Sequence, residues 1–208
     1  MMDTLILTPR DDRPAKRSGQ WAARLVEQFP SLSARVSRSR EEVDSLLGEH
    51  NHLLYFGHGE SDALILAPRA FRPPKPLVDA LNIGTQARRL VVAVACWSGE
   101  KLARSAIDPT LHSGPVEAYI GWLDEVGWPA EWSEPIDDAV VEGLSILLRG
   151  GTARDCAAGL EAAFETAHDR YRAERGKRLA SQRAALGKMY ATYWRARMIA
   201  VGDLDASL

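Results

Sequence analysis

Six consecutive apolar residues, Leu90 to Ala95 in "RLVVAVACWSGEKLA", constrain this chain more than any other stretch, because a run with no polar face has to be covered on both sides. It reads as the most hydrophobic strand of a sheet, and it stops directly in front of Cys96. About forty residues earlier, "LLYFGHGESDALIL" places another apolar run, Leu53 to Phe56, ahead of His58-Gly59. Short apolar runs of this kind alternate along the chain with stretches of helical periodicity. That alternation predicts an α/β fold with a mostly parallel sheet of about six strands.

The remaining elements follow from local signals. Thr4 to Thr8 is the first strand, Pro9 to Arg17 a polar loop, and Gly19 to Phe29 a helix. A short strand spans Ala34 to Ser37, and Ser39 with Glu42 three residues later caps a helix that ends near Gly48. Ala63 to Leu66 is a returning arm, and Leu77 to Leu81 is expected to be helical. A helix follows from Gly99 to Ile107, then a fifth strand from Val116 to Trp122. Helices opening after Ser133 and at Thr152, a further helix from Ser181 to about Tyr193, and a closing strand in "WRARMIAVGD" complete the chain.

Composition narrows the classes. A chain of 208 residues, 46% hydrophobic and 26% charged, can bury one substantial core, so one domain over residues 1–208 is expected. With a formal net charge of −2 there is no global basic field to hold nucleic acid or an anionic membrane. Two cysteines, Cys96 and Cys156, are too few for a disulfide framework and suit a reducing cytoplasm. "MMDTLILTPRDD" lacks the pattern of a signal peptide, and no apolar run nears the ~18 residues of a membrane span. A soluble cytoplasmic protein is the expectation.

In an open parallel sheet, functional groups gather beyond the carboxyl ends of the strands. If the strands ending at His58 and Cys96 are neighbours, an imidazole and a thiol face one reacting carbonyl. A thiol attacks acyl carbon as the thiolate, and a nearby histidine can take its proton and later protonate the leaving amine. The amides of Gly59 and Cys96 are candidates for an oxyanion hole. A helix starting after Ser98-Gly99 is expected to favour a negative sulfur through its N-terminal dipole. Cys156, in an Ala-rich helix, reads as a small buried residue. His50, His52 and His58 lack a further ligand nearby, so no metal is expected, nor any other cofactor.

These residues resemble the caspase-like cysteine peptidases of the clan containing caspases, gingipains, legumains and separase, and within it the CHAT family. The members carry an apolar strand ending in His-Gly, here "YFGHG", and a later one ending in Ala-Cys, here "AVACWSG". Papain-like peptidases have the opposite order. "GESDALILAP", "GLSILLRGGTARDCAAGLEAA" and "ATYWRARMIAVGD" resemble further CHAT segments, Tyr193, Trp194, Gly202 and Asp203 matching the family's ending and Arg195 and Arg197 departing from it.

The resemblance implies a caspase-like three-layer α/β/α sandwich and a Cys96/His58 dyad that cleaves protein substrates. It leaves the P1 selector open. Asp124 or Glu125 would hold a basic side chain, whereas Arg10 and Arg13, in the loop after the first strand, would hold an acidic one; basic or apolar P1 is favoured. Trp97 is a candidate wall of the cleft. The charged helical stretch at about 165–190 looks like an addition that could serve a partner, or else a solvated helix held by charge pairs. Bacterial members act as executioner proteases in antiphage or cell-death systems, and CHAT domains are commonly fused to sensor repeats that this sequence does not show, so the resemblance implies a separate activating or sensor protein. A non-catalytic interaction module on the same fold is the alternative. A different α/β hydrolase or a nucleotide-binding protein is disfavoured, since "LTPRDDRPAKR" replaces a Gly-rich phosphate loop after the first strand.

Overall fold

The computed structural model describes residues 4–37, 39–67, 73–84, 90–111, 116–127, 132–173 and 178–208. The first half of the chain holds β1 (Thr4–Leu7), α1 (Arg13–Gln28), β2 (Ser33–Arg35), α2 (Arg40–Glu49), β3 (His52–Phe56), β4 (His58–Glu60), β5 (Ala63–Ile65) and β6 (Pro76–Asp79). The second half holds β7 (Leu90–Val94), α3 (Lys101–Ile107), β8 (Ala118–Trp122), α4 (Glu134–Leu148), α5 (Ala153–Ala173), α6 (Arg178–Arg197) and β9 (Met198–Gly202).

Six strands form the central sheet in the order β2-β1-β3-β7-β8-β9, parallel throughout except for β9, which runs antiparallel to β8. The apolar runs explain the layering. Side chains alternate across a strand, so Ile6, Leu54, Phe56, Val92 and Val94 enter one core with residues of α1, α4 and α5. Leu5, Leu7, Leu53, Tyr55, Val91 and Ala93 enter the other with Val43 and Leu47 of α2 and Leu102, Ala103 and Ala106 of α3. The result is the mostly parallel α/β/α sandwich expected from the sequence. A second, antiparallel sheet, β4-β5-β6, projects beyond the end of β3.

Tryptophans fill the larger core. Trp194 meets Trp21 and Trp122 edge to face, with ring centroids 5.8 and 5.5 Å apart, and Phe56 meets Trp21 in the same way. Tilted aromatic contacts of this kind add to simple area burial. Two caps are as expected: Ser39 Oγ accepts from the Glu42 amide at the start of α2, and Thr152 and Asp155 bond reciprocally at the start of α5.

Two local expectations are corrected. Helix α1 begins at Arg13 rather than Gly19, because Asp12 caps it by accepting from the Ala15 amide at 2.8 Å and Pro14 occupies its first turn. The stretch read as a helix from Leu77 to Leu81 contains β6, which pairs with β5 and buries Leu77 and Val78. Of the charged stretch at 165–190, residues 165–173 end α5, 178–190 belong to α6, and 174–177 lie outside the described residues. Among the described residues, no helix is long and apolar enough to cross a membrane.

Candidate active site

Strands β3 and β7 are direct neighbours in parallel register, with Phe56 opposite Val94. His58 and Cys96 each lie two residues further on, so the sheet delivers both to the same carboxyl edge. Gly59 brings them close. A Cβ at Gly59 would stand 2.4 Å from the Cys96 carbonyl oxygen and 2.9 Å from Ala95 Cβ, so only a residue without a side chain lets β4 run this near the Cys96 turn. The Tyr55 hydroxyl, buried below, is shared between the carbonyls of His58 at 3.0 Å and Ile65 at 2.9 Å and fixes where β4 starts.

The histidine is oriented from the connection between β1 and α1. His58 Nε2 bonds Asp12 Oδ2 at 2.9 Å, while the other carboxylate oxygen, Oδ1, caps α1. With the carboxylate accepting, Nε2 is the donor, and in the neutral tautomer of the ring the lone pair falls on Nδ1. Asp12 is therefore clamped by a helix terminus and aimed at the imidazole. Sequence reasoning left Asp12 inside a polar loop and missed it; the one signal that could have found it is the "DDRP" string, an N-cap residue with proline two positions later.

The cysteine sits in a tightly tied turn. Ser98, fully buried, donates to the carbonyls of Ala93 and Ala95 and accepts from the Trp122 amide, and the Gly99 amide donates to the Trp122 carbonyl at 2.8 Å. Trp97 has a left-handed φ of 51°, uncommon for a bulky residue, and its amide donates to the Asp124 carbonyl at 3.1 Å. Cys96 Sγ accepts a 3.3 Å bond from the Val126 amide. Sequence reasoning did not anticipate that donor.

Burial pushes the Cys96 thiol above its ordinary range; the Val126 bond works the other way, and the charges of Glu125 and Asp124 add to the rise. The expected helix-dipole assistance is corrected. Helix α3 starts only at Lys101, and its first amides, those of Lys101 and Leu102, both donate to the Ser61 carbonyl at 2.8 Å rather than facing the sulfur. Imidazole and thiol are not hydrogen-bonded to each other. His58 is engaged with Asp12 and Cys96 with Val126.

The other candidates fall on two sides. Asp124 and the exposed Glu125 lie near enough to act on the thiol. The Tyr193 hydroxyl beside Asp124 holds its carboxyl below the usual range, with Arg197 Nε 3.9 Å away. Trp97, directly after Cys96 in the chain, is half-buried. Arg10 also has a left-handed φ, 48°, and donates from Nη2 to the Gly19 carbonyl, while Arg13 is exposed on the first residue of α1.

Asp11, Asp12 and His58 bring one ligand atom each within 4.8 Å of one another, a set able to hold a divalent cation. This is not the trio considered from sequence. His50 Nδ1 bonds the Leu46 carbonyl behind α2, and His52 is buried within β3. Asp11 Oδ2 is itself engaged by the Ala67 amide. Compared with known proteins, the chain matches no protein-family model and no curated protein sequence.

Proposed function

We propose that the chain is a cysteine endopeptidase in which Cys96 is the nucleophile, His58 the general acid and base, and Asp12 the residue that orients the imidazole. One observation carries this reading: the contact of Gly59 with the Cys96 carbonyl, which sets the His-Gly and Ala-Cys strand ends against each other at one sheet edge. Substrate binding brings the thiol proton to Nδ1 of His58, since catalytic hydrogen bonds often close only in the substrate complex. The thiolate attacks the scissile carbonyl, and His58 returns the proton to the leaving amine. A water deprotonated by His58 then hydrolyses the thioester. The amides of Gly59 and Cys96 are the proposed donors to the oxyanion.

Asp124 and Glu125 beside the thiol favour a basic P1 side chain, while Arg10 is occupied by the Gly19 carbonyl. A role in antiphage defence or cell death, with a separate activator, belongs to the same proposal and rests on the resemblance alone. A second reading, a non-catalytic interaction module, is favoured by one feature: the resting thiol is half-buried, pushed up and held by Val126 rather than by His58.

Intact-mass analysis with short peptidyl electrophiles differing only at P1 (Arg, Leu or Asp) separates the two. The peptidase reading expects one adduct, lost in Cys96→Ala, slowed strongly in His58→Ala and fastest for P1 Arg. Adducts indifferent to both His58 and P1 would favour the module.

A further inference from the structure

The outer face of α5 and α6 carries an open groove of about 870 Å3 that the proposed chemistry does not use. Met189, Tyr193 and Ala196 form its apolar floor, and His168, Lys188 and Arg197 line it as well. Met189 is 53% exposed and Leu186, three residues before it on the same helix, 48% exposed, so two large apolar side chains stand in water side by side. Among the described residues no carboxylate lines the groove. Three approach it from outside: Asp169 reaches His168 at 3.3 Å, Asp124 reaches Arg197 at 3.9 Å, and Glu125 lies near enough to act on the Tyr193 hydroxyl.

From Arg197 an unbroken set of contacts leads to the thiol. Its carbonyl accepts from the Leu123 amide at 2.8 Å, its guanidinium lies over the Tyr193 ring, and both side chains address the Asp124 carboxylate. Trp194 Nε1 donates to the Gly127 carbonyl, and Gly127 packs on the Tyr190 ring. The last turns of α6 thus hold Leu123 to Gly127 at both ends. The same five residues supply the Asp124 carbonyl to Trp97 and the Val126 amide to Cys96 Sγ.

We infer that the groove is a docking site for an acidic segment of a partner protein bearing an apolar side chain, and that its occupation loosens the Leu123–Gly127 segment over Cys96. The apolar side chain covers Met189, and the carboxylates meet Lys188 and compete with Asp124 for Arg197. Losing Arg197 leaves the Asp124 carboxylate to Tyr193 alone, and the segment that holds the sulfur loses one of its anchors. The inference rests on the peptidase reading for its meaning, as the regulation of that site, while the coupling itself is a property of the thiol.

The test is the rate of Cys96 alkylation by iodoacetamide, followed by intact mass on the full chain. A short peptide alternating glutamate and leucine is compared with its lysine-leucine counterpart. The glutamate peptide is expected to bind by fluorescence anisotropy and to accelerate Cys96 alkylation about fivefold or more in a saturable way. Lys188→Glu should abolish binding and acceleration with the unliganded rate unchanged, and Arg197→Ala should alkylate fast without peptide. No binding, equal binding of the lysine peptide, or binding that leaves the Cys96 rate unchanged overturns the inference. Alkylation needs no peptide-bond cleavage, so a chain that fails the P1 electrophile panel but still accelerates loses the peptidase reading and keeps the docking site. The opposite result does the reverse.

Discussion

Asp12 carries two loads through two oxygens, and substitution can separate them. Asparagine is as good an N-cap as aspartate, so Asp12→Asn should leave α1 intact while replacing a carboxylate with a neutral amide at His58 Nε2. The expected result is a thermal midpoint near wild type and a peptidase rate lower by about a hundredfold or more, the scale of general acid-base effects. Asp12→Ala should show the same rate loss plus about 1 kcal/mol of instability in denaturant melts. Equal rates for Asp12→Asn and wild type would remove the residue from the mechanism. The thiol supplies a pH test. Negative charge disfavours a thiolate, so Glu125→Gln should lower the Cys96 pKa and move the rise of alkylation rate to lower pH; in wild type that rise is centred above the ordinary thiol value of about 8.5. At this scale His58, Gly59 and Cys96 were legible because each ends or follows a strong apolar run. Asp12 was not, since a single capping residue in a polar string leaves no periodic signal, and its meeting with His58 spans 46 positions of chain.

Among the elements, the antiparallel arm β4-β5-β6 was the hardest to read. "KPLVDALN" offers apolar residues at spacings that suit either period, and a run this short does not choose between helix and strand. The choice is made by β5, against which Leu77 and Val78 are buried. Contact between elements also explains Gly59: Gly59→Ala should force β4 off the Cys96 turn and abolish electrophile capture, while circular dichroism keeps the signal of the central sheet. Helices α1, α4 and α5 are tied by Asp138, which receives Arg24 at 2.7 Å and Arg170 at 2.6 Å. Burial works to raise its pKa, but the two guanidiniums hold it below the usual carboxylate range. A lowered folded pKa means stability present above the unfolded value of about 3.9 and lost as pH falls through the folded one. Asp138→Asn should therefore destabilise by about 1 kcal/mol or less at neutral pH, the arginines being partly exposed, and the difference from wild type should vanish in melts at strongly acidic pH.

For the whole molecule, sequence patterning reached the architecture: apolar runs alternating with helical stretches become a sandwich whose two cores divide odd and even strand residues. It did not reach the way α6 governs the loop beside the thiol, because Trp194, Arg197 and Gly127 meet only through the tertiary fold. Trp194→Phe keeps an aromatic ring among Trp21, Trp122 and Phe164 but releases the Gly127 carbonyl. The expected outcome is a loss of about 1 kcal/mol, a midpoint lower by roughly 2–4 °C, and faster alkylation of Cys96. The second cysteine gives the same experiment an internal clock. Cys156, on α5, is wholly enclosed in the larger core, its thiol pushed up to about 12 by burial. In a thiol reagent the chain gains its first mass increment when a single loop yields, and its second only when the entire larger core opens. The logarithm of the ratio of the two labelling rates, each taken relative to a free thiol, gives the free-energy gap between a local breath and global unfolding.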